Sequence, residues 1–303
     1  IFRAVTILKD KINEECFSIE EKRYFKTCGA MFDGSQANSL MNIQSCKKMM
    51  IILAGMGYNM VMLYCEDCYT VDGEPYWGNM RPRYSKEEFR ELDDFAYSLG
   101  IEMIPCIQTL GHLTQAIKKY PYKDIADTDS VLMVGCENVY KLIEKLIAQV
   151  SSCFRSRRIH VGLDEAWDLG LGNYLKNSGY KPQGELMAQH VKRVCEITDK
   201  YHLKPMMWSD MFFRAKSKTH DYYDYSVDFS DKDRDFVPDN MSLVYWDYYH
   251  FDTEEYAEMI NLHKKLSNKI IFAGCARNTF TFGSHHDKTL ATMNPALSVC
   301  KEY

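Results

Sequence analysis

Short apolar runs alternate with amphipathic stretches along most of the chain, and the alternation predicts a repeated strand and helix unit. Residues 26–32 form an apolar stretch that runs into Asp33. The Met- and Ile-rich segment 41–54 then reads as a helix closing at Gly57, a residue suited to the left-handed position after a helix. Residues 60–63 are the next strand, and Ser85 and Glu88 have the spacing of a capping box for a helix that ends at Gly100. A third strand follows at 101–107, and Val139, Leu142, Ile143, Leu146, Ile147 and Val150 fall on one helical stripe. Further strands are predicted at 159–163, 204–208, 243–246 and 269–272. Helices are predicted at about 185–201, at 253–266 and after His286, where Pro295 should kink the last one.

Such regular alternation predicts an α/β chain built as a (β/α)8 TIM barrel, with a doubly wound open sheet as the alternative. No Gly-x-Gly-x-x-Gly follows a strand, which weighs against the alternative. The pattern shows seven units, and a barrel lacking a strand leaves two edges with unpaired backbone groups. The reading is therefore a barrel truncated before its eighth strand, which is expected beyond Tyr303. Residues 1–21 read as a helical lead-in, the end of a preceding small domain, and residues 22–303 as the barrel itself. Both ends look cut from something longer, since neither carries a helix stop or start signal.

Composition narrows the partners. A net charge of −5, with Lys and Arg spread along the chain, leaves no basic footprint for nucleic acid. No stretch approaches the ~20 apolar residues of a membrane span, and the start has no signal-peptide pattern. Eleven cysteines, an odd number, lie singly in apolar segments, which suits reduced thiols and a cytoplasmic location. Cys65 and Cys68 form one Cys-x-x-Cys without a second pair, so strand packing is expected there in preference to zinc.

The candidate chemistry centres on HVGLDEAWDL, which ends an apolar run with Asp164 and Glu165. At the C-terminal end of a barrel strand, two carboxylates can share substrate orientation and proton donation. Read alone, the same pair also fits a charge pair at a helix N-terminus. Beside this pair, the strand ends would bring Asp33, Gln36, Tyr64, Glu66, Asp67, Gln108, His112, Trp167, Trp208, Asp210, Trp246, Asp247 and Tyr248 to one face. Carboxylates among aromatic walls suit a sugar, whose ring faces stack while its hydroxyls hydrogen-bond. Trp208 and Trp246 fit core caps equally well, and His112 fits a loop hydrogen bond. Trp246 and Tyr248 share a face by strand alternation. His285 and His286 lack a spaced third ligand and are expected in a surface loop, and the cluster Tyr222–Tyr225 is expected to pack a loop.

Taken together in order, GEPYWGNMRPRY, LGIEMIPCIQTLGHL, RRIHVGLDEAWDLGLG, KPMMWSDMFF and YWDYY resemble glycoside hydrolase family 20, in its hexosaminidase D-like branch, from about Cys28 onward. The resemblance implies an exo-β-N-acetylhexosaminidase that cleaves terminal GlcNAc or GalNAc from a glycan or glycoconjugate with retention. It implies neither cofactor nor metal, because the substrate's acetamido oxygen serves as nucleophile through an oxazolinium intermediate. By the same resemblance Asp164 matches the residue that accepts the acetamido N–H, and Glu165 the general acid and base. Trp208 and Trp246 match the walls of the acetamido pocket, Tyr248 or else Tyr249 the tyrosine on its carbonyl, and His112 and His160 supporting positions. Glu66 is placed among the substrate-binding residues.

Three departures accompany the resemblance. Gln36 stands where the family usually carries a sugar-binding arginine, the stretch after the seventh strand reads Ala276-Arg277-Asn278 in place of Trp-Thr, and the eighth strand is missing. Arg277 is the candidate to restore the lost positive charge. An alternative reading is an N-acetylhexosamine-binding barrel without catalysis, and a third is a metal-dependent hydrolase using His112, His160 and Asp164. The sequence assigns no oligomeric state.

Overall fold

The computed structural model describes residues 1–36, 40–276 and 283–303. Its strands are β1 (Gly29–Asp33), β2 (Met60–Cys65), β3 (Glu102–Ile107), β4 (Arg158–His160), β5 (Lys204–Trp208), β6 (Ser242–Trp246) and β7 (Ile270–Ala273). The first helices are α1 (Phe2–Asp10), α2 (Ile43–Met56), α3 (Lys86–Ser98), α4 (Thr114–Ile117), α5 (Glu137–Ser151) and α6 (Asn173–Ser178). They are followed by α7 (Gln183–Lys200), α8 (Asp210–Lys216), α9 (Asp231–Arg234), α10 (Thr253–Leu266) and α11 (His286–Cys300). The chain divides into one unit of Ile1–Ile107 with Glu144–His160 and another of Gln108–Ile143 with Val161–Tyr303.

In the first unit β1, β2, β3 and β4 pair in chain order, all parallel, with Gly29 opposite Met60, Met60 opposite Glu102, and Cys106 opposite His160. The runs MVMLYC and EMIPCI are buried at every position after the first, which is why they read as unbroken apolar strands. Asn42 caps α2 through Ser45 N–H, and Gly57 ends it at φ +87°. At α3 both halves of the Ser85 and Glu88 capping box are formed. The lead-in is helical only over Phe2–Asp10. Cys65 and Cys68 are buried beside Ser35, whose Oγ lies 3.1 Å from Cys68 Sγ, so this pair packs the end of β2 as expected.

In the second unit β5, β6 and β7 also pair in parallel and in chain order. A doubly wound sheet reverses strand order at a switch point, and neither unit contains such a reversal. The strand order is that of the (β/α) barrel. Two local expectations change. β4 ends at His160, three residues before the predicted end. His285 and His286 stand exposed at the start of α11, which runs on past Pro295. All eleven cysteines are free thiols, and no described helix is long and apolar enough to cross a membrane.

Candidate active site

β4 stops because its continuation leaves extended backbone. Gly162, Leu163 and Glu165 take φ of +74°, +77° and +50°. For the two non-glycine residues such a conformation costs about 1–3 kcal/mol each, so surrounding bonds must hold it. Val161 N–H donates to Met206 O at 2.9 Å and Trp208 N–H to Gly162 O at 3.0 Å, while Thr109 Oγ1 donates to Val161 O at 2.8 Å. Leu163 N–H donates to Gln108 Oε1 at 3.3 Å, and Glu165 N–H to Asp210 Oδ2 at 2.9 Å. Turns follow the pair and the next helix begins only at Asn173, so Asp164 and Glu165 are not a helix N-terminal charge pair. The loop carrying His112 passes so close that a Cβ on Gly111 would lie 2.8 Å from Asp164 O.

The two carboxylates differ in setting. Asp164 Oδ1 accepts a hydrogen bond from Gln108 Nε2 at 2.6 Å, and its side chain is only 13% exposed, against 38% for Glu165. His112 Nε2 lies between them, 3.2 Å from Asp164 Oδ2 and 3.3 Å from Glu165 Oε2, in the geometry of a shared ion pair. Burial opposes charge on His112, but the two carboxylates outweigh it and push its pKa up to about 11. For Asp164 burial alone would favour the neutral acid. His112 and Gln108 reverse this and hold it below the usual carboxylate range. The two acidic side chains thus favour the imidazolium form of His112, which stands between Asp164 and Glu165 and not only against its own loop.

Asp210, the first residue of α8, is fully buried. Its Oδ2 accepts Glu165 N–H, and its Oδ1 accepts the indole N–H of Trp246 at 3.2 Å. Burial and then the Asp164 charge raise its pKa to about 8, against the pull of those two donors. The Trp246 ring stacks on Tyr248 with centroids 5.7 Å apart and planes 28° from parallel. Tyr248 stands beyond the end of β6, and the Asp247 carboxylate shapes this turn by accepting Tyr249 N–H at 2.9 Å and meeting His250 Nδ1 at 2.7 Å. Trp208 is 8% exposed at the end of β5.

Tyr222 and Tyr223 pack their loop, as expected, against Trp246, with rings 6.0 and 5.2 Å from it. Burial first, then the charges of Glu165 and Asp210, push the Tyr222 hydroxyl well above the phenolic range. Tyr223 OH accepts Trp246 N–H at 3.3 Å. The sequence signals for these residues and for Gln108 and Asp210 were weak, since each is one polar or aromatic side chain near a strand end.

The structure therefore brings together Asp164, Glu165, His112, Trp246 and Tyr248. Gln36 and Glu66 belong to the first unit. There Gln36 is exposed with its N–H on Asp33 Oδ1 at 3.0 Å, and Glu66 is buried with its N–H on Ser35 Oγ at 2.8 Å. Arg81 approaches Glu66 to 3.9 Å and bonds Asp67 and the Ser35 carbonyl. His160 is buried at the end of β4. Arg277 lies outside the described residues. Among the described residues, His112, Asp164 and Glu165 each offer one atom to a metal within 4.8 Å of the others, so Glu165 replaces His160 in the metal set expected from sequence. A divalent ion there would have to displace a proton that His112 holds up to a pKa of about 11.

Comparison with known proteins adds the context for this site. The family model for glycosyl hydrolase family 20, catalytic domain, matches residues 66–271. Hexosaminidase D of Bos taurus is 26% identical over 174 residues, covering 53% of this chain and 49% of that protein. The chain thus spans about half the length of this curated relative. Among solved structures, a β-N-acetylhexosaminidase from Bacteroides fragilis aligns with a TM-score of 0.64 at 16% identity, covering 88% of this chain and 55% of that one. An exo-β-N-acetylglucosaminidase from Vibrio harveyi, in complex with N-acetylglucosamine, aligns with a TM-score of 0.61 at 17% identity, covering 82% and 41%. At these identities the structural likeness is one of fold.

Proposed function

Since the chain belongs to glycosyl hydrolase family 20, we propose that it forms the catalytic barrel of a retaining exo-β-N-acetylhexosaminidase that acts through the substrate's own acetamido group. The substrate class is a glycan or glycoconjugate ending in β-linked GlcNAc or GalNAc. This fits the N-acetylglucosamine complex of the Vibrio harveyi protein and the hexosaminidase D relative. Eleven free thiols support a reducing, cytoplasmic setting for this reading.

The observation that carries the proposal is Asp164, held as an anion by Gln108 and His112 beside a more exposed Glu165. An ionised Asp164 accepts the acetamido N–H and turns the acetamido oxygen toward the anomeric carbon. As that oxygen attacks, positive charge spreads over the forming oxazolinium ring, and the fixed Asp164 charge stabilises it. Glu165 gives its proton to the departing glycosidic oxygen, then takes one from the water that opens the ring with net retention. Tyr248 is assigned to the acetamido carbonyl, and Trp208 and Trp246 to the walls around the methyl group. Holding the acetamide in place makes the attack intramolecular, which is worth up to about 7–11 kcal/mol.

The test compares nitrophenyl N-acetyl-β-glucosaminide with nitrophenyl β-glucoside on the full-length protein. Cleavage of the first alone, with the β-anomer of GlcNAc as first product by NMR, is expected. Equal rates on both would remove the acetamido mechanism. Calorimetric binding of N-acetylglucosamine without turnover would instead identify a sugar-binding barrel.

A further inference from the structure

We infer that Asp210 is a positioning residue that fixes the general acid Glu165 and the aromatic wall at Trp246 in one frame, by using each of its carboxylate oxygens on one of them. The inference rests on the proposed reaction and goes beyond the Asp164 and Glu165 pair itself.

Glu165 sits at φ +50° in a loop outside any helix or strand, so local structure does little to hold its backbone. Its N–H is taken by Asp210 Oδ2 at 2.9 Å, while Oδ1 takes the Trp246 indole N–H at 3.2 Å. Asp210 is itself rigidly mounted. The preceding Ser209 donates both its N–H and its hydroxyl to Val244 O at 3.1 Å, and its Oγ lies 2.8 Å from His263 Nε2. One carboxylate thereby connects the ends of β5 and β6 to the residue that must reach the glycosidic oxygen.

An asparagine cannot do the same, because both oxygens of the carboxyl can accept whether or not it carries its proton, while the amide NH2 only donates and would face one of the two N–H groups. Burying a carboxyl without exposure to water and near the Asp164 charge is costly, as its raised pKa of about 8 reflects. Burial at such cost is typical of a site organised for chemistry. A displacement of Glu165 by about 1 Å is enough to lower a rate on the order of a hundredfold.

The experiment measures full-length D210N and W246F on two N-acetyl-β-glucosaminides, one with a dinitrophenyl leaving group that departs without acid help and one with a methyl group that needs it. With Glu165 misplaced, D210N should lose roughly tenfold more kcat on the methyl glycoside than on the dinitrophenyl one. W246F removes the indole donor and part of the pocket wall but keeps the Asp210 bond to the Glu165 N–H, so it should raise KM while leaving that ratio as in the unsubstituted protein. Equal losses on both substrates in D210N, or none, overturn the proposal.

Hydrogen exchange of the Glu165 amide in the unsubstituted protein needs no variant to fold. Protection of roughly a hundredfold over a free loop amide is expected, and exchange at the free rate overturns the proposal. If the unsubstituted protein cleaves neither glycoside, the proposed function fails, and the exchange result still decides whether Asp210 holds Glu165.

Discussion

Gln108 brackets the peptide before Asp164, donating Nε2–H to Asp164 Oδ1 at 2.6 Å while its Oε1 accepts Leu163 N–H at 3.3 Å. One buried amide thus steadies both a left-handed leucine and the carboxylate assigned to the acetamide. Replacing Gln108 by Leu leaves a buried N–H without its acceptor, at a cost of about 1–3 kcal/mol. Thermal unfolding should register that loss. Turnover of the N-acetylglucosaminide should fall more than binding of the sugar, and an unchanged kcat would remove Gln108 from the site.

His112 makes stability depend on pH. Its pKa is raised from 6.5 to about 11 in the folded chain, so its contribution is full below 6.5 and drains away as pH climbs through 11. Asp164 is shifted the other way, so its contribution is present above its ordinary 3.8 and is lost as pH falls through its lowered folded value. H112Q should therefore flatten the decline in urea stability on the alkaline side. A variant curve parallel to that of the unsubstituted protein between pH 7 and pH 10 would count against the ion pair.

The two carboxylates should separate kinetically. E165Q should lose about 10²–10⁴-fold in kcat on a methyl glycoside and far less on a dinitrophenyl one, because only the first needs a proton. D164N should lose activity on both, since orientation of the acetamide precedes departure of any leaving group. A D164N variant that keeps its rate on the dinitrophenyl substrate would contradict the role given to Asp164.

Asp127 supports the loop that follows the pair. Its carboxylate accepts Gly170 N–H at 2.6 Å and Tyr174 N–H at 2.7 Å, and its carbonyl accepts Asn173 N–H at 2.8 Å. A side chain on Gly172 would put its Cβ 1.9 Å from that carbonyl, so the loop closes on Asp127 only with glycine there. D127A should cost about 2–4 kcal/mol by stranding two donors. Calorimetric unfolding measures this directly, and limited proteolysis should show new cleavage near residues 167–176.

Local features of this chain were legible in its sequence. β2 and β3 could be read because strands covered on both faces become short apolar runs, and α3 because Ser85 and Glu88 close a capping box within four residues. The Asp164 and Glu165 pair stood out for the same reason, being adjacent at the end of such a run. Tertiary structure alone decided what those carboxylates touch. Leu163 and Glu165 adopt left-handed backbone that neither residue type signals, and it is held by Gln108 and Asp210, 55 and 45 positions away. Tyr222 and Tyr223 reach Trp246 from a loop whose composition says only that it is aromatic. A hydrogen bond or ring contact between distant segments leaves no periodicity in either one. The sequence therefore determined which elements form and where the acids lie, and packing determined that His112 stands between them and that Asp210 accepts the Glu165 N–H and the Trp246 indole N–H.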